Sequence, residues 1–215
     1  MTRIVVSRAS ENLDGATIAN PVRHPAAGVV VPIRSFELGK ARLAQELDRD
    51  ARARLGRRLA SRVVEAAGEL PVVIVSSAPD VCMWARERGL VTLDDPGTLD
   101  AAAAAGRRYV SSIGCRRVVI AHSDLPRIRS LAPLLRDAGQ PVAVLVPCQR
   151  DDGTPVLSVP ADAPFEFAYG PDSFRRHAAS ARAASLAVRV IRAPDLSFDL
   201  DLPDDLRAVE DAVAG

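Results

Sequence analysis

Three aspartates carry the clearest chemical signal in this chain. Asp199-Leu200-Asp201 alternates acid, apolar, acid. In an extended segment, side chains two apart share a face, so both carboxylates point the same way while Phe198, Leu200 and Leu202 turn toward a core. Two like charges that close repel each other, and a divalent cation relieves the repulsion. Asp124 follows directly on the apolar run Arg117–Ala121 (RVVIA), where a rigid strand would hold it at its end. An all-oxygen ligand set suits Mg²⁺, with Mn²⁺ also admitted, rather than Zn²⁺. A plainer reading stays open for each: a turn or cap aspartate at 124, and two solvated aspartates ahead of a last helix whose Asp204 and Asp205 favour its dipole.

Lys40 is the only lysine among 28 Lys+Arg. It lies in a loop that also brings Arg34 and Arg42 to the same edge, and three fixed cations there could neutralise a polyphosphate. The loop is not a Walker A sequence, because GxxxxGK[ST] is absent. Gly153-Thr154 and Gly170-Pro171-Asp172-Ser173 place glycines beside hydroxyls at a turn and at a helix start. Backbone N–H groups and a hydroxyl there can take an anion, or simply cap the helix. His122-Ser123-Asp124 is no hydrolase triad, since adjacent residues on a strand end cannot reach nucleophile, base and orienter geometry and no GxSxG elbow exists. His177 reads as a helix residue on a solvated or pocket-rim face.

These residues must be positioned by alternating elements. Strands are predicted at 28–33, 72–75, 90–93, 117–121, 142–147, 156–159 and 188–191. Helices are predicted at 50–67, where Leu55, Leu59, Val63 and Ala66 form one apolar stripe, and near 78–88, 99–110, 130–138, from 173, and 203–213. The arginines of 50–67 lack interleaved aromatics and read as a solvated face. This alternation predicts an α/β fold whose largely parallel sheet is covered by helices on both faces, with an antiparallel addition around 142–169. Ligands in such sheets bind outside the strands' carboxyl ends, where the aspartates fall. No linker or repeat appears, so residues 28–215 are expected to form one domain behind an extension of uncertain order at 1–27.

Composition narrows the partners. A formal net charge of +1 gives no overall field for nucleic acid or a membrane surface. No apolar run approaches the roughly 20 residues of a membrane span. Cys82, Cys115 and Cys148 are scattered and odd in number, which fits buried thiols in a reducing cytoplasm rather than disulfides or zinc.

Five stretches together, VVPIRSFELGKARLA (30–44), VVIAHSDLP (118–126), DDGTPVLSVP (151–160), FAYGPDSFRRH (167–177) and FDLDLPDDL (198–206), resemble the 2-phospho-L-lactate/phosphoenolpyruvate guanylyltransferases of deazaflavin coenzyme F-420 biosynthesis. The resemblance runs from residue 28 to about 210. It implies a single-domain nucleotide-diphospho-sugar-transferase (GT-A-like) fold. It implies GTP and a small phospho-carboxylic acid as substrates, with Mg²⁺ held by Asp124, Asp199 and Asp201. It places the acceptor at Thr154, Gly170 and Ser173. The 32–42 loop, with Pro32, Arg34, Lys40 and Arg42, would take the GTP phosphates, with Lys40 also counted as catalytic. Asp95 and Asp100 would lie near base and ribose. The sequence departs from the usual pattern at Arg34, Asp100, Leu202 and Pro155, and the last keeps 3-phosphoglycerate in view as acceptor. A nucleotide-binding regulatory protein without catalysis is the alternative of another class. A homodimer is compatible with the family.

Overall fold

The computed structural model describes residues 26–137 and 139–214. The extension at 1–27 falls almost wholly outside them. Seven strands form one sheet: β1 (Gly28–Pro32), β2 (Val72–Val75), β3 (Val91–Leu93), β4 (Arg117–Ala121), β5 (Val142–Val146), β6 (Val156–Pro160) and β7 (Ala187–Val190). Their order across the sheet is β3-β2-β1-β4-β6-β5-β7. β1 pairs in parallel with β2 and β4, β2 with β3, and β5 with β7. β6 alone runs the other way, antiparallel to both β4 and β5. That reversal matters for the site. Six strands deliver their carboxyl ends to one edge, and β6 delivers its amino end there, so the turn carrying Thr154 joins the loops after β1 and β4.

The strands are buried on both faces, as their unbroken β-branched runs require. Val29 and Val31 of β1 turn to one core with Ala53, Ala60 and Val63 of α1 (Arg49–Ala66) and Val81, Trp84 and Ala85 of α2 (Pro79–Glu87). Val30 turns to the other, with Ala102, Ala103 and Val110 of α3 (Leu99–Ser112) and Ala178 and Ala181 of α4 (Ser173–Ala183). α3 comes close enough to β1 that a Cβ at Gly106 would lie 2.2 Å from Val30 Cγ1. A third, smaller cluster joins Leu43, Leu55, Leu59, Phe198 and Leu200, with Leu206 of α6 (Pro203–Ala214) against it. It fastens the lysine loop and the Asp199–Asp201 segment to the same floor. Between β7 and that segment lies a one-turn helix, α5 (Pro194–Ser197).

One sequence expectation is corrected here. The helix predicted at 130–138 is only a 3₁₀ turn, Ala132–Leu135, with Ala138 outside the described residues. Pro133 lacks an N–H, and its carbonyl, which a helix would use internally, accepts from Arg189 instead. Arg117 is wholly buried, and its guanidinium donates to the carbonyls of Asp137, Gln140 and Val142 and to Ser158 Oγ. The antiparallel addition expected around 142–169 is present as β6, which pairs antiparallel with β4 and β5.

Candidate active site

The loop after β1 folds back on the start of α2. Asp80 Oδ2 accepts from the amides of Phe36 at 2.9 Å and Glu37 at 3.0 Å, and Phe36 packs edge-on against Trp84. Gly39 permits the tight return, since a Cβ there would stand 2.7 Å from Ser35 O. Lys40 then adopts a left-handed backbone, φ 54°, and Leu43 is anchored in the third cluster. The result aims Lys40 at the aspartates. Its Nζ donates to Asp124 Oδ2 at 2.7 Å, to Leu200 O at 2.6 Å and to Asp201 Oδ1 at 3.1 Å. The amide of Leu200 donates to Asp124 O at 3.0 Å, which pins the acidic segment to the end of β4. Asp205 Oδ2 accepts from the amides of Asp201 and Leu202 and holds its far end.

The electrostatics of this knot are consistent. Burial works against the Lys40 charge, but Asp124 and Asp201 more than offset it and its pKa lies above the ordinary value. Burial likewise opposes ionised Asp124, yet Lys40 and then His122 hold its pKa below the usual carboxylate value. For Asp199 burial, then Asp124 and Asp201, push its pKa up, and a backbone hydrogen bond and His122 offset only part of that. Asp124 Oδ1 is buried without a hydrogen-bond partner. Among the described residues no three ligating side chains already form a metal cage, because Lys40 stands between Asp124 and Asp201. The donor set nevertheless fits a hard cation. It is all oxygen, one oxygen is orphaned, and one carboxylate is strained by its like-charged neighbours.

The second cluster lies across the same edge. Asp152 turns back to the start of α4, its Oδ1 accepting from the Asp172 amide at 2.6 Å and its carbonyl from the Phe174 amide at 3.1 Å. Thr154 Oγ1 and Ser173 Oγ, both buried, come within 3.3 Å. Gly170 has φ +101°, a left-handed conformation that glycine adopts without strain. Asp172 caps α4 with no side-chain bond. His177 lies one turn beyond Ser173 on the same helix face. The expectation of a solvated or rim position is wrong: His177 is 0% exposed, since this face of α4 packs on the second core. Its Nε2 accepts from the Ala168 amide at 2.9 Å, and its Nδ1 is 3.0 Å from Thr154 Oγ1. Burial, then Arg176 and His122, lower its pKa to about 4.

That shift has a testable sign. The unfolded chain protonates this histidine below about pH 6.5, and the folded chain does not until about pH 4. Folding stability should fall by about 3 kcal/mol across that window and level off below it. Denaturant unfolding at pH 7 and pH 4.5 checks this, with His177→Asn lacking that share of the acid sensitivity.

The remaining candidates scatter along the rim. Arg34 and Arg42 are exposed and form no ion pair among the described residues, while Pro32 is half-buried at the end of β1. Asp95 Oδ1 accepts from the Gly97 amide in a turn. Asp100 Oδ1 accepts from the Tyr169 amide at 2.6 Å, so it ties α3 to the glycine loop. The structure thus gathers Lys40, Asp124, Asp199 and Asp201 into one knot and Thr154, Gly170 and Ser173 into another. His122 bridges them, its amide donating to Pro155 O at 2.9 Å. A groove of about 900 Å³ runs along α1 and α6 past Leu55, Leu59, Pro126 and Leu206, and includes none of these polar side chains.

Comparison with known proteins bears on the fold and the family. A Methanothermobacter nucleotidyl transferase superposes with a TM-score of 0.60 at 15% identity, over 87% of this chain and 97% of that one. A candidate nucleotide-diphospho-sugar transferase from Desulfovibrio desulfuricans G20 reaches 0.67 at 16% identity, over 86% of each chain. These establish the fold as that of nucleotide-diphospho-sugar transferases. Among sequence relatives, the phosphoenolpyruvate guanylyltransferase of Rubrobacter xylanophilus is 37% identical over 84% of this chain and 92% of its own. That of Chloroflexus aggregans is 32% identical over 84% and 95%. Residues 27–210 match the family described as guanylyl transferase, CofC-like. The chain belongs to the CofC-like guanylyl transferase family and is a nucleotidyltransferase.

Proposed function

We propose that this enzyme transfers GMP from GTP to the phosphate of a small phospho-carboxylic acid, phosphoenolpyruvate or 2-phospho-L-lactate, and releases pyrophosphate. The step would serve deazaflavin coenzyme F-420 biosynthesis in the cytoplasm. The observation that carries the reading is the facing of the two knots, carboxylates with a lysine on one side and a glycine turn with two buried hydroxyls on the other. The first suits a polyphosphate with its cation and the second a compact anion. Mg²⁺ fits the first knot, where Asp124, Asp199 and Asp201 would hold it. Bound there, it supplies charge neutralisation at the α-phosphate and the departing pyrophosphate.

The chain's own groups do the rest. Lys40 adds a fixed cation beside the aspartates, with Arg34 and Arg42 exposed on the same loop for the outer phosphates. Thr154, Gly170 and Ser173 hold the acceptor's anionic groups so that one phosphate oxygen faces the α-phosphorus. The phosphomonoester is already an anion at neutral pH. No general base is needed, which accords with a buried, neutral His177 as the nearest imidazole to the hydroxyls. The P–O bond to the acceptor forms as the bond to pyrophosphate breaks, and catalysis is positioning plus preorganised charge.

An acceptor panel tests the reading. With Mg²⁺ and GTP, pyrophosphate release should depend on one of phosphoenolpyruvate, 2-phospho-L-lactate or 3-phosphoglycerate, and chelation should stop it. Release with no acceptor of this class and no nucleotide, from folded protein, would leave a non-catalytic nucleotide binder.

A further inference from the structure

The geometry points to His177 as a positioning residue that sets the direction of the protons in the Thr154–Ser173 hydroxyl pair, so that both hydroxyls can donate to a bound oxyanion. The inference rests on the proposal that this pair binds the acceptor. It follows from hydrogen-bond bookkeeping. The Ala168 amide donates to His177 Nε2 at 2.9 Å. An amide N–H cannot accept, so Nε2 must keep its lone pair. A neutral imidazole carries one N–H, which is therefore on Nδ1. Nδ1 lies 3.0 Å from Thr154 Oγ1 and must donate to it. Thr154 has then spent an acceptor site on the histidine and kept its own proton. Its other near neighbour is Ser173 Oγ at 3.3 Å, and Ser173 has in turn the Asp152 carbonyl at 3.5 Å. The carbonyl can only accept, so the protons run from Nδ1–H to Thr154, from Thr154 to Ser173 and from Ser173 to Asp152 O; the last two contacts are long, and a bound oxyanion offers both hydroxyl protons a stronger acceptor.

The other two states of the ring would undo this. The Nε2–H tautomer would set two N–H groups against each other at Ala168 and draw the Thr154 proton onto Nδ1. The imidazolium would also lose the Ala168 bond. The surroundings favour the neutral ring: Tyr169 packs edge-on at 4.7 Å and Phe165 stacks at 5.8 Å. The titratable groups that bear on it are Arg176 of its own helix and His122 from beyond β4, and both oppose a cation. The Tyr169 phenol is itself pushed well above its usual pKa by burial and Asp100, and stays neutral.

Two measurements test the assignment. The chain has three histidines, so ¹⁵N correlation spectra resolve the tautomer, with His177→Asn identifying the signal. The Nδ1–H form is expected at pH 7 and at pH 5; an Nε2–H form or a cation at pH 7 overturns the inference. In kinetics, His177→Leu and Thr154→Val should each raise KM for phosphoenolpyruvate about tenfold or more while KM for GTP stays within about twofold. The double variant should be no worse than the worse single one. His177→Asn keeps an N–H for Thr154 and should recover most of the loss. Losses that multiply, or that appear equally in KM for GTP, mean a merely structural histidine. If His177→Leu does not fold, His177→Asn completes the cycle with Thr154→Val. A wild-type protein that uses no phospho-acid overturns the acceptor proposal, while the tautomer still decides the role of His177.

Discussion

Asp124→Asn should lower turnover by at least about 10³-fold while the protein stays folded. The substitution keeps shape and removes one charge. Asp124 is fixed at the end of β4, its carbonyl accepts from the Leu200 amide, and its Oδ1 has no protein partner. A buried oxygen without a partner in the fold is held for something that binds later, and here the fitting candidate is a divalent cation with the GTP phosphates. The asparagine retains an oxygen for Lys40 but loses the charge that would hold the cation. Circular dichroism and steady-state pyrophosphate release separate fold from turnover. Turnover within about tenfold of wild type would remove Asp124 from the metal proposal.

The second large effect is at Lys40. Lys40→Met should lower kcat/KM for GTP by about 10²-fold and unfolding free energy by about 2–3 kcal/mol. Breaking a fully buried ion pair costs about 3–5 kcal/mol. The figure is reduced here because the Asp201 side chain is 39% exposed and solvent screens it. The deficit has a pH window. Asp124, with its pKa depressed, contributes stability that is present at neutral pH and lost as pH falls through that depressed value. Lys40, with its pKa raised, keeps its share until pH climbs past the ordinary 10.5. The variant should therefore be weakest relative to wild type near pH 7 and converge with it in strong acid. With the ammonium gone, Asp124, Asp199 and Asp201 repel unrelieved, so Mg²⁺ should stabilise Lys40→Met more than wild type in thermal unfolding. Equal stabilisation would separate the lysine from the cation site.

The sheet and the aspartates were legible because they rest on local periodicity. Period-two acids around Leu200, and an acid directly after the run RVVIA, need only strand geometry to be placed. Ser173 and His177 also carried a readable signal, four residues apart on one helix, but the burial of His177 depends on how α4 packs against the second core. The contact of Lys40 with the aspartates was not legible, because it takes Gly39 and the left-handed turn at Lys40 to swing it back across 84 residues of sequence to Asp124. Nothing local in the sequence marks Arg117 as wholly buried. Its burial rests on the carbonyls of Asp137, Gln140 and Val142, a tertiary contact that no local pattern announces. Asp100, expected near base and ribose, also tethers the Tyr169 amide, a contact between segments 69 residues apart that the sequence alone did not reveal.

The central claim is that an acceptor phosphate is joined to the α-phosphorus of GTP. Phosphorus NMR of a reaction holding the protein, Mg²⁺, GTP and phosphoenolpyruvate or 2-phospho-L-lactate tests it most directly. The expected result is a pair of coupled phosphoanhydride signals, neither belonging to GTP nor GDP, growing in step with pyrophosphate. Formation of GDP with inorganic phosphate, or of GDP with a doubly phosphorylated acceptor, would place the attack at the γ-phosphorus and contradict the account.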